Sequence, residues 1–142
     1  MFGKTKKDEP SDLEKAIQFL RSYTKLWADL FQFFSDKIEE GSVNAQQEEE
    51  FFKIITILST RHFELTNRAA DDLKDSENIV KFLGTLVSLQ HLQTVSEVEF
   101  SSTQVRWHEI FIGLNKALGK LVQKLPAPAE TKPAATQAPA NA

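Results

Sequence analysis

Residues 68–90 read RAADDLKDSENIVKFLGTLVSLQ, a helical pattern that stops at an acidic knot, restarts at once and then loses its apolar seam. Asp71, Asp72 and Asp75 form the knot, which we read as a turn followed by a cap. Asp75 or Ser76 is placed to accept hydrogen bonds from the open N–H groups of the next helix, and Glu77 suits the positive end of that helix's dipole. From Ile79 the apolar positions step by fours and threes through Phe82, Leu86, Leu89, Gln93, Ser96, Phe100, Thr103, Trp107, Ile110, Leu114, Ala117 and Leu121. Either one helix runs over 76–124, or it breaks near Ser101 and Ser102, where S-x-x-Q recaps it; the break is the reading we favour. Gln93, Ser96 and Thr103 dilute the seam, so the middle of this region is weakly hydrophobic.

Upstream, Ser11 and Glu14 make an S-x-x-E capping box after Pro10, and Gly41 is a natural helix stop, which predicts a first helix over about 12–40. Its seam runs through Leu13, Ile17, Leu20, Thr24, Trp27, Phe31, Phe34 and Ile38. Asn44 and Gln47 signal the next cap, and Phe51, Ile55, Leu58, His62, Leu65 and Ala69 line a second helix over about 45–73. No proline interrupts 11–125, and the apolar spacing is helical rather than alternating. The expected fold is all-α, an antiparallel bundle of three to four long amphipathic helices. Residues 1–10 are expected to be a flexible N-terminus and 11–125 the helical domain. The Ala/Pro/Thr-rich stretch 126–142 has almost nothing to bury and is expected to be disordered.

The chain has 142 residues, 41% of them apolar, enough for one domain with a core. Its 17 basic and 20 acidic residues leave a net charge of −3, which gives no overall positive field for nucleic acid. Zero cysteines exclude a disulfide framework and a thiolate metal site. MFGKTKKDEP runs into Asp8, Glu9 and Pro10 without an apolar core, so no signal peptide is expected. The densest apolar run, FFKIITIL at 51–58, is far short of the roughly 20 residues that span a bilayer. The cytoplasm is the simplest expected location, with no transmembrane segment.

Chemistry-bearing side chains are scattered. His62, His91 and His108 belong to no H-E-x-x-H motif, and no glutamate lies three residues before any of them, so the E-x-x-H pairs of a di-iron bundle are missing. His62 falls on an apolar line and reads as a hydrogen-bonded core histidine. Glu48, Glu49 and Glu50 read as a solvated first turn matched to the helix dipole. Gly3, Gly41, Gly84, Gly113 and Gly119 have no phosphate-binding spacing. We therefore expect no enzyme, no catalytic residue, no cofactor and no bound metal.

The unusual element is the first helix. At roughly 100° per residue its apolar side chains fill an arc of about 200°, twice the stripe that a surface helix needs. Either this helix lies centrally in the bundle or at a homo-oligomer seam, or Phe19, Tyr23, Trp27, Phe31, Phe33 and Phe34 form a surface that meets a partner or a hydrophobic interface. A homo-oligomer is expected. Arg106, Lys116, Lys120 and Lys124 give the last helix a basic end, while residues 36–50 are acidic. That polarity suits the helix dipole and could also orient a subunit against a neighbour.

Long helices with a polar-diluted seam, the junction AADDLKDSENIVKFLGTLVSLQ, a following Glu- and Gln-containing stretch and an Ala/Pro/Lys/Thr tail together resemble phasins, over about residues 45–140. Phasins coat polyhydroxyalkanoate storage granules. The helices here are richer in aromatics and poorer in alanine than is usual for that family. The resemblance implies a non-enzymatic amphipathic protein that self-associates on a hydrophobic granule. The alternative expectation is a soluble helical adaptor or structural protein that self-associates or binds one protein partner.

Overall fold

Ser11 opens the first helix through a reciprocal pair of bonds: its hydroxyl accepts from the Glu14 N–H at 3.1 Å, and the Glu14 carboxylate accepts from the Ser11 N–H at 2.8 Å. Asn44 and Gln47 open the second in the same way, at 2.8 and 2.9 Å. The structure, a computed structural model, describes residues 11–39, 41–69, 71–73 and 76–126. The expectations for the flexible N-terminus 1–10, the Asp75 cap and the tail beyond 126 lie outside these residues. Among them are six helices and no strand: α1 (Asp12–Leu30), α2 (Ala45–Thr60), α3 (His62–Ala69), α4 (Ser76–Thr85), α5 (Leu89–Thr94) and α6 (Glu97–Gln123). A 3-10 turn, Phe31–Phe33, follows α1.

The all-helical class agrees with the sequence; the count and the boundaries do not. The first helix ends at Leu30 rather than near residue 40. From the turn and its cap, Phe31, Phe33 and Phe34 each reach a different element. Phe31 meets Trp107 on α6 at 4.4 Å between ring centroids, Phe33 meets Phe51 on α2 at 5.4 Å, and Phe34 meets Phe82 on α4 at 6.1 Å. The carbonyls released beyond the helix find side-chain donors. Gln104 donates to Phe34 O, Gln93 to Glu39 O, and Lys37 in turn donates to Val95 O. Gly41 does adopt the left-handed conformation expected of a stop, with φ 87°, but it shapes a turn well past the helix.

The expected second helix is split at Arg61, whose φ and ψ of −92° and 0° leave the α region. The Thr60 hydroxyl just before the split donates back to the Ile57 carbonyl at 3.1 Å, a contact that loosens a helix locally. The expected long final helix breaks twice, at neither Ser101 nor Ser102, both of which lie inside α6. The breaks fall at Ser88 and Ser96, where each hydroxyl caps the next helix by accepting from the N–H three residues on, His91 at 3.0 Å and Glu99 at 3.1 Å. Ser96, which dilutes the apolar seam, is thus an N-cap, and Ser88, off the seam, is another.

α1 packs against α2, α3 and α6, while α4 packs on α2 and α6 and α5 on α2; α1 and α6 form the most extensive helix pair. Gln104 reaches the carbonyl of Phe34 while Trp107 reaches that of Trp27, the order that antiparallel neighbours give. Ile17, Leu20, Tyr23, Trp27, Leu30 and Phe34 from α1 and its turn join Phe51, Leu58, Leu65, Phe82, Leu89, Trp107 and Leu114 in one core.

Candidate interaction surface

The aromatic arc of α1 is covered by the chain itself. Phe19, Tyr23, Trp27, Phe33 and Phe34 are buried, and Phe31 is half-buried against α6. Trp27 lies 5.6 Å from Phe82, and Phe19 stacks on Tyr23 at 5.9 Å with the Arg68 guanidinium over its ring. In this fold the arc is a central packing face. It is wide because three neighbouring helices and α4 share it, so in the folded chain these six side chains do not offer a continuous outward surface.

Packing them inward has a polar cost. The Tyr23 hydroxyl and the Trp27 indole N–H approach each other without a well-aligned hydrogen bond, and Thr24 Oγ1 is likewise buried without a partner among the described residues. Burial pushes the Tyr23 hydroxyl up to about 12, with the neighbouring indole opposing part of that rise. Tyr23 therefore stays neutral and acts as a packing group.

The apolar side chains left outside are those that fall off the seams. Phe63 is 74% exposed, and Phe52, Val80 and Val87 are also exposed. Phe63 and Val80 help to line an open groove of about 610 Å³ between the α2–α3 junction and α4, together with Leu83 and Gly84 from α4 and Ser59, His62 and Thr66 from the junction side. A Cβ added at Gly84 would meet nothing within 4 Å, so the glycine leaves the groove open. His62 is half-buried at this wall. Its Nδ1 has no partner among the described residues, contrary to the hydrogen-bonded histidine expected, and burial lowers its pKa below the ordinary 6.5.

A second hollow of about 450 Å³ lies between α4 and α6, where Lys81, Arg106 and Glu109 surround Ile79, Ile110 and Gly113. Both charge signs share its rim, and Arg106 lies over the Phe82 ring at 5.5 Å. His91 and His108 are exposed and well apart in the chain. Among the described residues no three His, Asp or Glu side chains gather as a metal-holding group. No described helix is long and apolar enough to cross a membrane. Glu48 has a structural task that its acidic run concealed: its carboxylate accepts from the Leu89 N–H at 2.8 Å and the Gln90 N–H at 3.2 Å, capping α5 from a distance.

Phe63 and Val80 were legible as apolar residues displaced from a seam, Phe63 between His62 and Leu65 and Val80 beside Ile79. The α1 arc drew attention away from them because its apolar content is far greater. No protein-family model, curated protein or solved structure matches the chain.

Proposed function

We propose that this chain is a non-enzymatic helical binding protein that takes an apolar side chain of a protein partner into the Phe63–Val80 groove. The observation that carries this reading is Phe63, 74% exposed and lining an apolar groove, in a chain that buries the aromatics of its seams. An unburied phenylalanine leaves a large apolar area in water, and closing a partner over it recovers that stabilisation. Ser59, Thr66 and His62 give the groove a polar side suited to a peptide backbone, the mixture of apolar floor and polar rim that protein recognition uses. The scatter of the ionisable residues supports a binding role over catalysis.

The phasin-like reading, adsorption to a hydrophobic granule, rests on a separate observation: apolar residues are also exposed away from the groove, at Phe52, Val98 and Val105. Adsorption needs spread apolar area and no particular groove.

A photoreactive amino acid in place of Phe63 separates the two. The binding reading predicts one discrete protein adduct in cells, lost when Gly84→Leu fills the groove. The absence of any adduct would overturn it, and sedimentation of the purified chain with amorphous polyhydroxyalkanoate particles would favour the granule coat instead.

A further inference from the structure

The longest helix carries two apolar seams on opposite sides. Phe100, Trp107, Leu114 and Leu121 recur every seven residues and are buried in the core. Val98, Val105 and Ile112 recur at the same interval on the reverse side and are 82%, 56% and 42% exposed. Gly119 continues that line, and Val122 lies exposed beside it. A seven-residue apolar repeat keeps facing one direction only when two helices wind around each other. The inner seam has α1 as its neighbour; the outer seam has none among the described residues.

We infer that the outer seam of α6 pairs with α6 of a second copy of this chain, antiparallel and about a two-fold axis near Ile110. Charge at the two ends of the helix selects the direction, although the axis also brings the Glu109 carboxylates of the two copies near each other. Glu97 and Glu99 flank the start of the seam, Lys116 and Lys120 flank its end, and none of the four makes an ion pair among the described residues. Antiparallel copies bring each acidic end to the other's basic end and oppose their helix dipoles; parallel copies would set like charges together. The register is also set by size. With the axis near residue 110, Ser101 faces Gly119 of the second copy, so the two smallest seam residues share one layer and the helices approach closely there. Val98 then faces Val122 of the second copy, and His108 faces Ile112. A Cβ added at Gly119 would touch nothing in its own chain, so its lack of a side chain has no use within the monomer's packing.

This surface is independent of the Phe63 groove, and its test is the assembly state of the full chain. Sedimentation across a concentration series should show a monomer–dimer equilibrium. Val105→Glu with Ile112→Glu should leave the helical circular dichroism intact and shift the chain to monomer, while Phe63→Ser should leave the dimer in place. With no native cysteine, direction can be read by crosslinking: Ser101→Cys mixed with Gly119→Cys should form a disulfide-linked pair, and Val98→Cys alone should not. A wild-type chain that stays monomeric, a dimer that survives the double glutamate variant, or efficient linkage of Val98→Cys to itself would each overturn the inference.

Discussion

The indole N–H of Trp107 donates to the carbonyl oxygen of Trp27 at 3.0 Å, buried between α6 and α1. That carbonyl also accepts from the backbone N–H of Phe31, so one group ties the final turn of α1 both to itself and to its neighbour. The Trp27 indole, by contrast, has no well-aligned acceptor. Trp107→Phe removes a formed bond, whereas Trp27→Phe removes a buried donor that lacks one. Trp107→Phe should therefore cost about 1 kcal/mol more than Trp27→Phe, a difference that urea denaturation of the two variants measures.

Truncation to alanine should rank the arc by burial. Trp27 is fully enclosed, so Trp27→Ala should cost about 3–5 kcal/mol, a large share of the roughly 5–15 kcal/mol that holds a domain together. Phe31→Ala should cost clearly less, because part of its ring already meets water. Equal losses in thermal unfolding for the two variants would contradict this placement.

Much of the fold was readable because its signals are local. The Ser11–Glu14 and Asn44–Gln47 boxes each span three residues, and both start helices where the sequence placed them. The seams were readable too: Ile17, Leu58, Phe82 and Leu114 all lie inside. The breaks at Ser88 and Ser96 were not, because a serine within a helical pattern, on the seam like Ser96 or beside it like Ser88, reads equally as a polar helix residue and as a cap. S-E-V-E at 96–99 did carry the capping pattern, Ser96 with Glu99 three residues on. The early end of α1 depends on donors from Gln93 and Gln104, far away in sequence, which no local pattern reveals. The groove was missed for a related reason: its walls come from α3 and α4, and only their packing makes a concave surface of Phe63 and Val80.

Glu48 holds two N–H groups at the start of α5, a six-residue helix with little internal reinforcement. Glu48→Ala should cost about 1 kcal/mol, and hydrogen exchange should accelerate at Leu89 and Gln90 well before it does in α6. Glu50→Ala, exposed on the same helix, is the matched control and should leave those amides protected.

His62 makes stability depend on pH. Burial lowers its folded pKa below 6.5, so between those two values the unfolded chain binds the proton and the folded chain does not. Stability should therefore fall as pH drops from 6.5 toward the folded pKa and level off below it. His62→Gln should flatten that part of the profile in urea titrations run from pH 7.5 to 5, conditions chosen to bracket the ordinary histidine range of about 6.5. A wild-type midpoint that rises on acidification through this window would contradict the assignment.

The central claim is that the aromatic arc of α1 is the interior of this protein, leaving binding to residues outside it. The chain's two tryptophans, Trp27 and Trp107, both sit in that interior, so their fluorescence reports on it without any substitution. Acrylamide quenching of the native full-length chain is the direct measurement, with the urea-unfolded chain as reference. Blue-shifted emission and weak quenching, unchanged when amorphous polyhydroxyalkanoate particles are added, is the result expected. Native emission at the unfolded wavelength with quenching as strong as in urea would show that the arc faces outward.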